Sequence, residues 1–209
     1  MEGDRAPLKD LIDATQRHGA VLYVDDAHGA FATGPTGRGT PEVEGLSHER
    51  MIYMATLGKA LGGQGGFVVG PSSLIRLVQS RARTFVYETA QAPPVVAAAI
   101  EGLQLIDQDA SARDSLARNV TRLHEQLNSL LKARPPSHII PIIVGSTRAA
   151  RQLAQALFDQ GIFAPAIRPP TVPEGTARIR LSVSAMHTTE QIDHLVKVLV
   201  EGLRGLERV

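Results

Sequence analysis

The 209 residues carry 22 Lys and Arg against 21 Asp and Glu, with 43% hydrophobic residues and no cysteine. Such balance excludes a generally basic surface for nucleic acid or anionic lipid, so small anions would need local basic sites, and the missing cysteines exclude disulfides and thiolate metal ligands. No apolar run approaches the roughly 18 residues of a membrane-spanning helix, and Met1-Glu2-Gly3-Asp4-Arg5 is not a signal peptide, so a soluble, cytoplasmic chain of one or two domains is expected.

In chain order, apolar residues at helical spacing predict a helix from Pro7 through Ala14, stopped by His18-Gly19 ahead of a strand over Ala20–Val24. Met51–Ala55 and Gly66–Gly70 predict two further strands, and their continuous apolar character suits a sheet covered on both faces, as in α/β folds. Helices are predicted over Ser72–Ala82, from Pro93-Pro94 through Leu103, and along one face from Leu116 to Leu131 with Arg134-Pro135-Pro136 as the stop. Ile139–Val144 then predicts a strand whose Pro141 suggests an edge or a break, Ala149–Gln160 a helix, and Ala177–Val183 an alternating strand. Thr188 and Gln191 form a capping box for a last helix with a core face from Ile192 to Leu206. The expected organisation is part of a large α/β domain over 1–109 and a small α+β domain over 110–209.

Chemistry concentrates in two places. Lys59 lies in Thr56-Leu57-Gly58-Lys59-Ala60-Leu61-Gly62-Gly63-Gln64-Gly65-Gly66, where glycines permit unusual backbone angles and close approach of a ligand. A nucleotide loop of the Walker type fails on spacing: it requires a glycine where Tyr53 stands and Ser or Thr where Ala60 stands. The plainer alternative is a surface turn with a solvated lysine. Upstream, the first strand empties into Asp25-Asp26-Ala27-His28-Gly29, at the strand end where open α/β sheets put their ligands. Asp26 taken alone suits a helix cap or a turn. A single nearby imidazole argues against a metal site. Downstream, alternation along Arg178-Ile179-Arg180-Leu181 sets both arginines opposite Ile179 and Leu181, so either both see water or both line a cleft. A guanidinium fork that grips a carboxylate makes one of them, or Arg168, a candidate substrate clamp, and spacing does not choose between them.

On these residues the chain resembles the pyridoxal-phosphate-dependent α-oxoamine synthases of the fold-type-I aminotransferase superfamily. Thr56–Gly63 is similar to the superfamily's lysine signature, Val24–Gly29 with Gly37-Arg38-Gly39-Thr40 to the synthases, and Ala166–Leu181 to their biotin-pathway branch. The resemblance runs along the whole chain but corresponds to about the C-terminal half of such an enzyme, since Met1–Leu8 resembles an internal segment. It implies a sheet with an unpaired edge and an uncovered face, because the family's first strands lie in the other half.

By position, the resemblance implies pyridoxal 5'-phosphate as cofactor, with Lys59 as its Schiff-base lysine, Asp25 on the pyridine nitrogen, His28 near the phenolic oxygen and Thr56 on the phosphate. Thr89 resembles a phosphate ligand lent across a homodimer interface, although Glu88 stands where the family has Ser or Thr. Arg180 resembles the arginine that holds the substrate carboxylate, with Arg168 second. The implied reaction is decarboxylative condensation of an amino acid, L-alanine in this branch, with an acyl-CoA thioester of pimeloyl type. The alternatives are a synthase using glycine and acetyl-CoA, or a non-catalytic subunit paired with a complete homologue.

Overall fold

The computed structural model describes residues 1–47, 51–131 and 137–206. The chain is α/β and separates into two compact units, one of Arg5–Arg113 and one of Met1–Asp4 with Asp114–Val209. The predicted stop at Arg134-Pro135-Pro136 lies outside the described residues.

In the Arg5–Arg113 unit, helix α1 (Leu8–Arg17) buries Leu8 and Ile12, four residues apart and so on one face. Strand β1 (Leu22–Asp25) begins two residues later than its apolar run, because Ala20 still donates its N–H to Thr15 O at 2.8 Å and belongs to the helix end. Strand β2 (Met51–Thr56) pairs parallel to β1 and antiparallel to β3 (Gly66–Val69), in the order β1-β2-β3. Leu8, Ile12, Val24, Ala30, Met51, Tyr53 and Ala55 form the core on one face, with Phe31 and Phe67 packed against it. The expected cover on both faces is not what this unit builds: Tyr23 and Val68, pointing the other way, are 55% and 39% exposed.

Helices α2 (Thr40–Val43) and α4 (Arg83–Val86) are too short to show a period in the sequence. Between them α3 (Ser72–Arg81) matches its prediction, and α5 (Pro93–Gln108) opens on proline at its first helical position, where the missing N–H costs nothing.

A buried carboxylate ties this unit together. Asp26, 7% exposed, accepts from Thr40 N at 2.7 Å, Thr40 Oγ1 at 2.6 Å and Tyr53 Oη at 2.9 Å. The three donors come from the start of α2 and the middle of β2, so one side chain just past β1 binds the returning loop to the neighbouring strand. Gly39, at φ +84°, is part of the arrangement: a Cβ there would collide with Asp26 Oδ2 and stand 2.6 Å from Tyr53 Oη. Burial, then the charge and hydrogen bond of Asp26, push the Tyr53 phenol well above its ordinary range.

In the second unit, β4 (Ile139–Gly145), β5 (Ala166–Ile167) and β6 (Ala177–Ser182) form an antiparallel sheet in the order β4-β6-β5. Pro141 therefore lies on an edge strand, where its missing N–H breaks no inner ladder. Helices α6 (Ser111–Gln126), α7 (Asn128–Leu131), α8 (Thr147–Asp159) and α9 (Thr189–Leu206) supply Leu123, Leu127, Leu131, Leu153, Leu157, Ile192 and Leu199 to a core with Ile140, Ile142, Ile179 and Leu181. The single helix expected from Leu116 to Leu131 is interrupted at Leu127, before Asn128 and Ser129, whose side chains compete for backbone groups. Helix α8 starts two residues early because Ser146 Oγ accepts from Ala149 N at 3.1 Å. The capping box forms: Thr188 N donates to Gln191 Oε1 at 2.9 Å and Gln191 N to Thr188 Oγ1 at 3.3 Å.

Two stability measurements check this description. Leu157→Ala and Leu199→Ala, both at fully buried positions, are expected to cost about 2–5 kcal/mol each in urea unfolding, whereas Phe163→Ser, at 83% exposure, stays within about 0.5 kcal/mol of the parent. Tyr53→Phe removes a bond to a carboxylate and is expected to cost about 1.5–3 kcal/mol at neutral pH. Because the folded-state phenol is raised above the unfolded value near 10, its contribution is fully present below about pH 10 and declines above it by up to about 1.4 kcal/mol per pH unit. The gap between parent and Tyr53→Phe should therefore narrow as the pH rises above about 10; a constant gap counts against the buried pair.

Candidate functional site

The parallel register sets Asp25 of β1 beside Met54 of β2, and β2 runs on to Thr56 before the lysine loop begins. The carboxyl ends of two adjacent parallel strands thus deliver Asp25 and the lysine loop to the same end of one sheet, the position at which open α/β sheets bind ligands. Strand alternation sorts the acidic pair. Val24 and Asp26 point into the core while Tyr23 and Asp25 point out, so Asp25 is exposed, its Oδ1 accepting from Ala27 N at 3.0 Å and its Oδ2 claimed by no described residue. His28 is exposed on the turn that follows.

The lysine loop is braced rather than loose. Thr56 Oγ1 donates to Gly65 O at 3.0 Å and accepts from Gly58 N at 3.1 Å, while Leu57 N donates to Gly65 O at 2.9 Å. Within it, Gly63 N reaches Leu57 O at 2.7 Å and Gly62 N reaches Lys59 O at 3.0 Å. Lys59 is exposed on the closed loop. The hydroxyl hydrogen of Thr56 is committed to Gly65 O, so donation to a phosphate would require it to rotate away. Thr89 is exposed on the segment between α4 and α5, and the same segment sends the Gln91 amide against Gly65, where a Cβ would collide with it. Gly65 also holds φ +99°, which other residues rarely adopt.

A second clasp shapes the loop after His28. The Glu42 carboxylate accepts from Thr36 Oγ1 at 2.6 Å, Thr36 N at 3.1 Å and Arg38 N at 3.0 Å. Burial opposes its charge, but the Thr36 and Arg38 bonds hold its pKa below the usual carboxylate range.

Arg168 and Arg180 belong to the other unit. Arg168 is exposed just past β5. Arg178 and Arg180 share a face of β6, as alternation requires, yet they do not share an environment. Arg178 is 3% exposed, ion-paired with Glu2, and its Nε donates to Thr176 O at 3.0 Å. Arg180 is half-buried, with Nη1 3.6 Å from Met1 Sδ and a buried Nε that meets no acceptor among the described residues. Neither shared alternative, both in water or both in a cleft, describes the pair, because the Glu2 carboxylate is drawn onto one of them.

Sequence reasoning missed Asp26, Tyr53 and Thr40 as the anchor beneath the site, Gln91 against the loop, and Glu2. Alternation from Val24 carries a signal for Asp26 pointing inward; nothing local signals Gln91 or Glu2. Among the described residues, no cluster of three or more His, Asp or Glu is disposed to hold a metal ion, and no helix is long and apolar enough to cross a membrane.

Comparison with known proteins gives this geometry its family. An 8-amino-7-oxononanoate synthase of Anaeromyxobacter dehalogenans (strain 2CP-C) is 44% identical over 99% of this chain and 52% of its own length, and one of Methylobacillus flagellatus is 43% identical over 95% of this chain and 51% of its own. The chain spans about half the length of the curated relatives it matches. Among solved structures, a serine palmitoyltransferase from S. paucimobilis with a bound PLP-myriocin aldimine superposes with a TM-score of 0.92 at 30% identity, covering 100% of this chain and 54% of that one. An 8-amino-7-oxononanoate synthase from Francisella tularensis superposes at 0.86 with 26% identity, covering 100% of this chain and 61% of that one. The model of aminotransferase class I and II matches residues 1–199, and the chain belongs to that family.

Proposed function

We propose that this chain forms part of a pyridoxal-phosphate-dependent α-oxoamine synthase that condenses an amino acid with an acyl-CoA thioester, releasing CoA and carbon dioxide. The observation that carries the reading is the delivery of Asp25 and the braced Lys59 loop to one sheet end by adjacent parallel strands. The residues suit the cofactor on three counts: an exposed amine on a glycine loop, a carboxylate with one oxygen unclaimed, and glycines that let a ligand approach the backbone. On this reading residues 1–109 are a portion of the large cofactor-binding domain and 110–209 the small domain.

Bound pyridoxal phosphate supplies an electron sink that acidifies the amino acid's α-carbon and then makes it nucleophilic. Lys59 Nζ would hold the cofactor and, displaced by the substrate's amine, take the proton from that carbon. The Asp25 carboxylate would favour a protonated pyridine nitrogen, as an opposite charge does. His28 would lie near the phenolic oxygen, with Thr56 and Thr89 on the phosphate. Arg180 would receive the substrate carboxylate, its Nε, unpaired among the described residues, giving it a donor to spend, and Arg168 is the second candidate.

The named relatives at 43–44% identity favour L-alanine and a pimeloyl thioester, a step toward biotin. The structural likeness to serine palmitoyltransferase favours a second reading, with serine and a longer acyl chain. A cytoplasmic homodimer completes the proposal, the partner lending Thr89.

The test has two stages. Borohydride reduction of the chain with pyridoxal phosphate, followed by peptide mapping, is expected to label Lys59 and to leave Lys59→Ala unlabelled; label spread over other lysines sinks the site. Turnover is then followed with alanine, glycine and serine against pimeloyl-, acetyl- and palmitoyl-CoA, with and without an added N-terminal half of a curated relative. Alanine with pimeloyl-CoA should lead, and Lys59→Ala should lower the rate by at least about 10²–10⁴-fold, the effect of losing a general base.

A further inference from the structure

Strand β6 presents two guanidinium groups on one face, and the segment Met1–Asp4 of the same unit lies over that face. Gly3, at φ +71°, is so close to the edge strand that a Cβ would collide with Ile139 O. The segment treats the two arginines differently. Glu2 takes Nη1 of Arg178, whose Nε is already bonded to Thr176 O, and the residue is 3% exposed. An added anion could reach Arg178 only by displacing Glu2, or by forcing two carboxylates onto one buried guanidinium. Among the described residues Arg180 instead meets only a thioether, a weak acceptor, at 3.6 Å, and keeps its buried Nε unpaired.

We propose that Glu2 is a positioning residue that assigns the two arginines of β6 separate tasks, occupying Arg178 so that Arg180 alone offers donors to the carboxylate of a small amino acid. The inference rests on the reading of Arg180 as the carboxylate contact and adds the residue that selects it. Charge is the selector. A free Arg178 would be a competing cation two residues away on the same face, and a small carboxylate would divide between the two. Glu2 removes the competitor while holding the Met1–Asp4 segment to the strand.

The experiment uses the full chain labelled with ¹⁵N-arginine, with the Nε–Hε resonances assigned from Arg178→Gln and Arg180→Gln, titrated with L-alanine and with acetate. In the parent, both probes are expected to move the Arg180 resonance saturably and leave that of Arg178 in place. In Glu2→Gln the Arg178 resonance should itself become responsive and the saturating shift at Arg180 shrink, as the bound carboxylate divides between the two. Glu2→Asp should keep the parent pattern. The double variant Glu2→Gln/Arg178→Leu should return the Arg180 response to parent strength, a rescue that a purely structural role for Glu2 does not produce. An Arg180 response that Glu2→Gln leaves unchanged, or no rescue in the double variant, overturns the role of Glu2 alone. Silence of both arginines in the parent overturns the carboxylate reading of Arg180, and the proposal with it, while leaving the Lys59 labelling result standing. Should Glu2→Gln fail to fold, the single variant Arg178→Leu decides: the Arg180 response must persist in it, and its loss overturns the proposal.

Discussion

Asp26 holds the first unit together just past the carboxyl end of β1. A carboxylate 7% exposed is costly unless its oxygens are bonded, and here Thr40 and Tyr53 supply three donors. Those bonds fix the place where the chain leaves β1, where it returns into α2, and how both meet β2. Asp25 and His28 flank the anchor, one residue before it and two after, so their backbone positions are set by a residue that itself faces away from the exposed side. Gly39 is bound to the same constraint, since the space a side chain would need is filled by Asp26 and Tyr53.

The lysine loop is organised by the same economy of short contacts. One threonine hydroxyl and a few backbone bonds close a hairpin between β2 and β3, so Lys59 is carried on a defined turn although glycines surround it. Glycine serves close approach as much as flexibility here: Gly65 meets Gln91 where any Cβ would collide. Conformational freedom in the unfolded chain is the cost of those glycines, and the brace from Thr56 is what offsets it locally.

In the second unit the core is conventional and the interest lies on the opposite face of its sheet. Helices α6 to α9 cover the side bearing Ile140, Ile142, Ile179 and Leu181. The other side carries two arginines, and burial of Arg178 is tolerable because Glu2 neutralises it and Thr176 O takes a further donor. Among the described residues Arg180 lacks that compensation, which distinguishes it chemically from a neighbour that the strand pattern makes its equal.

Much of this was legible in the chain itself. The apolar runs of β1 to β4 and β6, the 3.6-residue stripes of α1, α3, α5, α8 and α9, and the Thr188–Gln191 cap are local patterns, and each formed within a few residues of its expected place. The glycine loop that carries Lys59 and the acid that ends β1 were equally legible as local features, because glycine spacing and a strand-terminal acid are written in consecutive residues. Short elements such as α2, α4 and β5 were not, having too few residues for a period. What only the tertiary structure decided were the pairings across distance: Tyr53 onto Asp26, 27 residues apart, Gln91 against Gly65, and Glu2 onto Arg178, 176 residues apart. Local periodicity reports which way a side chain points, but a buried charge takes its partner from whatever segment the fold brings near, and that choice depends on the whole packing.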